Sequence, residues 1–509
     1  MTERATTPTA VEEDDEVIGA KETVESVTFL QRFTILSSAA RELWLTFGLK
    51  FFAVLSWSLM NRTIPFWLQS DLQQSDEIKG TIIAVWSAIM TLVTVLVGSF
   101  TDAVGLRRTF LLGAGVCMGA RIAMTMSVNP VIALGIGMLP VAVGEALLSP
   151  VMVAATKRYA TTAQRSIAFS LIYAIMNVAF LVAGNVFDFV RKGLGEQGHY
   201  TIPYTHISIT TYETLLLLSF LSMAPVLVLS LLLRPNVEVT DEGLTFTEEQ
   251  KKYPTANFIE AIGLTARDTL KETIRIFSGL WSQPGFIRFL VFLLFATFMR
   301  MIFFHTSYTL APMGVRVLGD GAPVGRLDTI NNWLIIILVP IVGALTQRVS
   351  AYKMVVFGSI LGAASVFIMA VPVHVYQPLA NGWLGELIAH RWLDVPGPVN
   401  PWYISIALFY VAISFGEAFY SPRLYEYAAV IAPKGQEASY MSLSYLPFFG
   451  AKLTVGLLSG FLLAAFCPPK GPRHPEMLWI IIGVLTAVAP VGLLAFRGYI
   501  QVKEEGREG

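Results

Sequence analysis

Gly144-Glu145-Ala146-Leu147-Leu148-Ser149-Pro150 is repeated 272 positions further along the chain as Gly416-Glu417-Ala418-Phe419-Tyr420-Ser421-Pro422. Each copy places a carboxylate inside an otherwise apolar segment. The same gapless frame extends into the segment that follows, where Gln164, Ser170, Leu171 and Tyr173 match Gln436, Ser442, Leu443 and Tyr445. Two related apolar segments with internal charges indicate a duplicated membrane domain.

The composition is that of a bilayer protein. Hydrophobic residues make up 54% of the chain, charged residues only 14%, and the mean hydropathy is +0.61. Such a chain would expose too much apolar surface in water. About 20 apolar residues in a helix cross roughly 30 Å of hydrocarbon. Twelve stretches are long enough: approximately residues 44–69, 80–100, 109–126, 131–155, 166–187, 212–233, 284–311, 326–347, 353–372, 401–430, 436–465 and 477–498.

A second repeated frame predicts the organisation of the chain. Four residues recur 245 positions later: Gly98, Thr101, Val104 and Gly113 as Gly343, Thr346, Val349 and Gly358. The two offsets differ by 27 residues, about the length of the polar, Pro- and Trp-rich stretch 373–400, which has no good counterpart in the first half. The sequence therefore predicts an all-α membrane protein with twelve transmembrane helices in two pseudo-symmetric six-helix bundles and one insertion.

The polar stretch between spans six and seven is the natural joint between the two halves. Apolar residues there recur at helical spacing and predict an amphipathic helix on the membrane surface: Phe258, Ile262, Leu270, Ile274, Phe277 and Trp281. We divide the chain into an N-terminal tail (1–40), a first bundle (41–233), a cytoplasmic linker (234–283), a second bundle (284–500) and a C-terminal tail (501–509).

The distribution of Lys and Arg orients the chain. The first 25 or so residues show no cleavable signal. The short loops carry eight Lys and Arg residues on each side, but the linker adds five more to the side of the termini: Lys251, Lys252, Arg267, Lys271 and Arg275. We therefore expect a multi-pass protein of the plasma (inner) membrane with both termini cytoplasmic.

The loop between spans two and three resembles a family signature. Gly98-Ser-Phe-Thr-Asp102-Ala-Val-Gly105-Leu-Arg107-Arg108 is similar to the loop between helices 2 and 3 of the major facilitator superfamily. In that family the glycines allow a tight turn, and the Asp and basic residues form a cytoplasmic charge network that holds the outward-facing state. The resemblance implies a conformational latch formed by Gly98, Asp102, Gly105, Arg107 and Arg108.

Two further segments resemble the proton-dependent oligopeptide transporters of that superfamily. Phe169-Ser-Leu-Ile-Tyr173-Ala-Ile-Met-Asn177-Val-Ala179 is similar to their helix 5 signature, and Gly416-Glu417 with Ser421-Pro422 is similar to their helix 10. The resemblance implies substrate-binding roles for Tyr173 and Asn177. The family's helix 1 motif Glu-x-x-Glu-Arg-Phe appears here as Glu42-Leu-Trp-Leu45-Thr46-Phe47, without two of its three charged residues.

Ionisable residues inside the predicted spans are the candidate substrate-binding and coupling groups. Each costs about 2.5–3.5 kcal/mol at mid-bilayer and usually faces a cavity or a partner. They are Lys50, Glu145, Arg300, His305, Glu417 and Lys452. The resemblance implies that the first five line the central cavity, because they fall in spans one, four, seven and ten. The alternative roles are structural: the two carboxylates could bond to backbone or Tyr, and the histidine could be a satisfied hydrogen-bond partner.

Span ten carries a second carboxylate, Glu426, nine residues after Glu417. Nine residues place it on nearly the opposite face of an ideal helix. We therefore rank Glu417 above Glu426.

These features predict a secondary transporter that works as a monomer by alternating access, with a small-molecule substrate and protons as its partners in the bilayer. A small zwitterionic or anionic solute such as a short peptide is the expected cargo. The alternatives are a uniporter or exporter of another organic solute, and a transporter-derived receptor that binds without moving its ligand. The sequence has no Walker loop, dinucleotide fingerprint or metal-spaced Cys/His cluster. We therefore expect no enzyme activity, cofactor, metal or nucleic-acid partner.

Overall fold

The computed structural model describes residues 36–127, 129–246, 284–346, 349–431 and 446–502, with isolated positions between 260 and 281. Within these ranges twelve helices are long and apolar enough to cross a membrane, which confirms the predicted number. They are α1 (Arg41–Ser70), α2 (Asp76–Val104), α3 (Leu106–Met126), α4 (Pro130–Arg158), α5 (Thr162–Leu194), α6 (Thr211–Leu232), α7 (Gly285–Leu318), α8 (Val324–Leu345), α9 (Ala351–Ala370), α10 (Trp402–Ile431), α11 (Leu446–Phe466) and α12 (Pro475–Ala495).

Local sequence explains several of the helix boundaries. The Ser75 side chain caps α2 by accepting the Ile78 N–H, and Thr161 forms a capping box with Gln164 at the start of α5. The turn between α2 and α3 is a single residue, Gly105, with a φ of 89° that a glycine adopts without strain. The remaining predicted residues of span eleven, 436–445, lie outside the described part of the chain.

Short elements connect the long helices. Strands β1 (His199–Thr201) and β2 (Ser208–Thr210) form an antiparallel hairpin before α6, and β3 (Val237–Thr240) and β4 (Gly243–Phe246) form another after it. The insertion between α9 and α10 folds into short helical pieces: Val373–Tyr376, Gln377–Ala380, Trp383–Gly385 and Glu386–Trp392. The predicted amphipathic helix of the linker falls mainly on residues outside the described ranges.

Polar contacts identify the two ends of the helix bundle. At one end, Arg41 and Arg107 donate to the carbonyl oxygens of Leu232 and Leu231 at the end of α6, at 2.9 and 3.0 Å. We call this the Arg41 end, and it includes the turn at Gly105. The opposite end, where α5 finishes, is the Arg191 end.

The two halves share one packing geometry, as the repeated frames predict. A Cβ on Gly113 of α3 would lie 3.1 Å from the Gly144 carbonyl oxygen of α4. Its counterpart Gly358 of α9 would lie 2.7 Å from the Gly416 carbonyl oxygen of α10. Glycine at both crossings lets the two backbones touch. The positions matched at offsets of 245 and 272 therefore occupy equivalent places in three dimensions, and the all-α, two-bundle prediction is confirmed.

Candidate functional site between the two halves

At the Arg191 end, α5 of the first half is joined to α8 of the second. The Asp188 carboxylate accepts the backbone N–H of Gly325 at 3.0 Å and that of Arg326 at 2.6 Å. Both N–H groups belong to the first turn of α8, so a side chain of one half caps a helix of the other. Arg191 donates to the Ala322 carbonyl oxygen at 3.0 Å and lies beside Asp188. Asp188 is 5% exposed and Arg191 is 1% exposed, so these bonds are shielded from water.

The α5–β1 turn strengthens this contact. Glu196 accepts from the Arg191 guanidinium and the Tyr212 hydroxyl, and from the Gly321 N–H of the other half at 3.0 Å. Burial acts to raise the pKa of Glu196, but Arg191 outweighs it and holds the pKa below the ordinary value. The carboxylate therefore stays charged while it bridges the two halves.

Helices α2 and α11 approach each other at the same end, where α7 forms hydrogen bonds to α1 and α2. Arg316 of α7 donates to the Asp76 carboxylate of α2 at 2.7 Å and to the Gln69 amide oxygen of α1 at 3.0 Å. Lys79 also binds Asp76, at 2.6 Å. A shared carboxylate between two cations from opposite halves is a buried, charge-assisted contact.

Two contacts mark the inner limit of this closed region. Tyr308 of α7 donates to the Asn61 amide oxygen of α1 at 2.8 Å. Arg62 of α1 forms an ion pair with Asp328 of α8. The hydrogen bonds and ion pairs described above join the two halves from this level outward to the Arg191 end, and the structure is closed there.

Four glycines allow α2 to approach α11 and α5 to approach α8 closely, and these glycines are matched by the same sequence offsets of 245 and 272. Gly80 of α2 and Gly325 of α8 are 245 positions apart, and Gly184 of α5 and Gly456 of α11 are 272 apart. A Cβ on Gly80 would lie 2.5 Å from the Gly456 carbonyl oxygen, and a Cβ on Gly184 would lie 2.7 Å from the Gly325 carbonyl oxygen. The two helix pairs that close the Arg191 end are therefore related by the pseudo-symmetry of the chain.

Glu145 lies in a buried ion pair of the first half. Its carboxylate binds the Arg121 guanidinium of α3, and Arg121 is completely buried. Cys117 lies against both side chains. Lys452 of α11 interacts with Glu145 electrostatically from the other half. Glu145 therefore has one partner inside its own bundle and a second cation across the interface.

Cations and aromatic rings cluster in the second half. The Arg300 guanidinium lies 4.2 Å from the centre of the Phe448 ring and 5.2 Å from that of Tyr420. The Lys452 ammonium lies 5.5 Å from the centre of the Phe304 ring. Aromatic faces stabilise such cations where water is scarce. The cluster keeps two positive charges next to the interface between the halves.

Glu417 sits one helical turn from this cluster and differs from Glu145. It is half-buried and accepts from the Asn331 amide of α8 at 3.0 Å. Arg300 donates to Ser421, four residues further along α10, and interacts electrostatically with Glu417. In the 245 frame the position of Arg121 is occupied by Val366, so the second half lacks the buried guanidinium that neutralises Glu145.

The other predicted site residues are placed as follows. Lys50 is 8% exposed and lies eleven residues before Asn61 on α1, which puts it on nearly the same helix face, roughly 16 Å closer to the Arg41 end. His305 is fully buried, with Nδ1 2.8 Å from the Thr309 hydroxyl and Nε2 without a partner among described residues. Tyr173 of α5 packs against an apolar cluster of α8, α9 and α10, and the Asn177 amide donates to the Tyr173 carbonyl oxygen at 2.9 Å.

The predicted latch lies at the Arg41 end. Gly105 forms the turn, and Arg107 binds the end of α6 within its own half. Arg108 is exposed. The Gly98 and Asp102 positions belong to α2, but the Asp102 side chain is outside the described part of the structure. The latch therefore stays a prediction.

Glu42, the charged residue that remains of the helix 1 motif, also forms a structural ion pair. Its carboxylate binds the Arg234 guanidinium just after α6, with one bond of 2.9 Å. This pair joins α1 to the end of α6 at the Arg41 end, away from the central charges.

Sequence reasoning missed the residues that close the Arg191 end, notably Asp188, Arg62 and Asp328. The signal was present in the repeated frames, because Gly184 and Gly456 match at 272 and Asp188 follows Gly184 by one helical turn. No group of three or more His, Cys, Asp or Glu side chains with metal-binding geometry occurs among the described residues.

Solved structures of similar fold include peptide transporters. A POT family transporter in complex with 5-aminolevulinic acid has a TM-score of 0.65 and 17% identity, over 91% of this chain and 97% of the other. A peptide transporter POT in complex with sulfate has a TM-score of 0.65 and 18% identity, over 92% and 98%. A proton-dependent oligopeptide transporter has a TM-score of 0.62 and 17% identity, over 90% and 99%. At these identities the likeness concerns the fold.

A comparison with curated protein sequences finds no match. The family model of the Major Facilitator Superfamily matches residues 46–384, which is more than half of the chain. The members of this family are membrane transporters and not enzymes, in agreement with the helix count and the paired halves. The chain belongs to the Major Facilitator Superfamily.

Proposed function

We propose that this protein is a proton-coupled symporter of a small zwitterionic or anionic solute such as a short peptide. The observation that carries the proposal is the arrangement of Arg300 and Glu417. The Arg300 guanidinium of α7 donates to Ser421 of α10, and the half-buried Glu417 carboxylate lies one turn before Ser421 on the same helix. Both groups lie on the Arg41 side of the contacts that close the Arg191 end. Such a pair complements a solute that carries both charges.

The solute's carboxylate would bind Arg300, with Lys452 and Lys50 as further cations at the interface. Its ammonium group would bind Glu417, which Asn331 orients. Tyr173 of α5 packs against an apolar cluster that includes Ala418, the residue after Glu417, and we propose it and Asn177, one turn further along α5, as further substrate contacts. The occupants named for two similar structures, 5-aminolevulinic acid and sulfate, are a zwitterion and an anion, which supports the same class.

Alternating access explains the closed Arg191 end. With both termini cytoplasmic, this end faces outward, and the described conformation is closed to the outside. Opening requires the Asp188 cap and the Arg316–Asp76 pair to break while the opposite end closes. The Asp102, Arg107 and Arg108 latch would hold the Arg41 end in the outward-facing state, in a monomer of the plasma (inner) membrane.

Glu145, His305 and Glu417 are the proposed proton carriers, because the helix 1 charges of the related family are missing. A carboxylate alternates between protonated and charged forms when a cation beside it leaves and returns. Glu145 has two candidate cations, Arg121 in its own half and Lys452 in the other. Rocking of the halves changes the distance to Lys452 alone, so conformation and protonation are coupled.

Uptake by purified protein in liposomes tests the proposal. An inward proton gradient should drive accumulation of a labelled dipeptide, and an ionophore should abolish accumulation but spare counterflow, which needs no net proton movement. Accumulation that survives the ionophore would support a uniporter or another coupling. Binding without any uptake or counterflow would support a receptor.

Matched variants on α10 test the site. Glu417→Gln should weaken dipeptide binding, measured as loss of ligand-induced thermal stabilisation. Glu426→Gln, on nearly the opposite helix face, is the control. Equal, mild effects of the two variants would show that these carboxylates are packing groups.

A further inference from the structure

The insertion between α9 and α10 carries an exposed apolar stripe. Val375, Leu379, Trp383 and Leu387 follow one another at intervals of four residues, and their exposed fractions are 54%, 42%, 76% and 47%. They span the short helical pieces from Val373 to Trp392. Four large apolar side chains exposed between Val375 and Leu387 are unusual for a segment that faces only water.

The other side of the insertion is fixed to the protein. Tyr376, Ala380, Ala389 and Leu393 are buried in the apolar core of the second half. The Tyr376 hydroxyl donates to the Ile368 carbonyl oxygen of α9 at 2.7 Å. The stripe is therefore held in a defined place on the body of the transporter.

That place is the membrane boundary at the Arg191 end. The insertion begins three residues after α9 ends at Ala370, and α10 re-enters at Trp402. Phe367, in the last turn of α9, is 39% exposed, so the end of α9 next to the insertion also presents apolar surface. Polar side chains of the same pieces are exposed as well, among them Gln377 and Asn381, which lie two residues away from the stripe positions. Amphipathic segments with an apolar row and a Trp are typical of the zone between lipid headgroups and acyl chains.

We propose that Val375, Leu379, Trp383 and Leu387 form a docking surface for the bilayer, inserted at the headgroup–acyl boundary of the leaflet at the Arg191 end. The segment then ends at the closed contact. Asp394 forms an ion pair of 2.6 Å with Lys192 of the first half, and Arg326 donates to the Leu393 carbonyl oxygen at 3.4 Å. The lipid surface thus supports a segment that touches both halves where they meet.

Spin labels on single introduced cysteines in full-length protein in lipid nanodiscs test this. Trp383→Cys and Leu387→Cys report the stripe, and Gln377→Cys, two residues away from the nearest stripe positions, reports the polar side of the same pieces. The native Cys117 and Cys467 are buried, and unsubstituted protein measures their background. Oxygen concentrates in lipid, whereas a neutral nickel chelate stays in water.

The ratio of oxygen to nickel accessibility should be several-fold higher at 383 and 387 than at 377. A ratio equal to that at 377 would overturn the proposal by placing the stripe in water. Protection from both reagents would overturn it in favour of a protein cover such as a second copy. Size-exclusion elution and the signal at 377 report whether each variant retains its fold.

Discussion

Replacing Asp188 with Asn should open the Arg191 end. The carboxylate accepts two N–H groups from the first turn of α8 and lies 3.3 Å from Arg191, all while 5% exposed. An amide keeps one acceptor oxygen, but its NH₂ group must then face a backbone N–H or the guanidinium. The variant loses one charge-assisted bond and the attraction to Arg191.

The size of the effect follows from these contacts. Hydrogen bonds to charged groups contribute about 1.5–3 kcal/mol each, so we expect the closed state to lose roughly 2–3 kcal/mol. Since every 1.4 kcal/mol is a factor of ten, the ratio of open to closed molecules should rise roughly 30- to 150-fold.

Distances between spin labels measure this ratio. Gly193 has open space around it and Asp320 is exposed, and the two belong to opposite halves at the Arg191 end. Labels at both should give a longer distance in Asp188→Asn than in the parent protein. Asp394→Asn is the matched control, because its ion pair with Lys192 also joins the halves but is exposed, and exposed pairs contribute only about 0–1 kcal/mol. An unchanged distance in Asp188→Asn, or an equal change in the control, would refute the reasoning.

Three other predictions address packing, pH and the buried ion pair. Gly184→Leu should prevent closure of the Arg191 end and reduce uptake, because its side chain meets α8 backbone; Gly193→Leu, in open space, should transport normally. Burial raises the pKa of Asp71 to about 7. The folded state therefore binds a proton that the unfolded chain releases near pH 4, so thermal stability should fall as pH rises from about 4 to about 7 and then level off, and Asp71→Asn should flatten this slope. Glu145→Met leaves the Arg121 charge buried and unpaired and should lower unfolding free energy by about 3–5 kcal/mol, whereas a parent-like melting temperature would contradict a tight pair.

The fold was predictable from local sequence. Apolar stretches of membrane length give the helices, because a bilayer requires every backbone group to be paired within its own segment. The offsets of 245 and 272 predicted which helices are equivalent, and the glycines at 113, 144, 358 and 416 occupy equivalent crossings because close backbone packing needs them.

The site could be predicted only in part. Charged residues within apolar spans identified Glu145, Arg300, Glu417 and Lys452 as candidates, since burial of a charge requires a partner. The partners of these residues could not be predicted. Arg121 of α3 pairs with Glu145 of α4, for example, because of the way the two helices pack, and sequence spacing does not specify that packing. Asp188 was missed for the same reason. A carboxylate near a helix end is common, and only the folded structure shows that this one accepts the N–H groups of α8.

The two Gly-Glu-Ala repeats show the division most clearly. The sequence by itself determined that two halves carry the same carboxylate at the same depth of equivalent helices. Tertiary structure alone decided which groups these carboxylates contact: Arg121 of a neighbouring helix pairs with Glu145, whereas Asn331 and Arg300 lie beside Glu417. The free-energy cost of a charged side chain in a membrane depends on the partner that a neighbouring helix provides. Folding brings that partner to it, and the spacing of residues along the chain does not reveal which one it is.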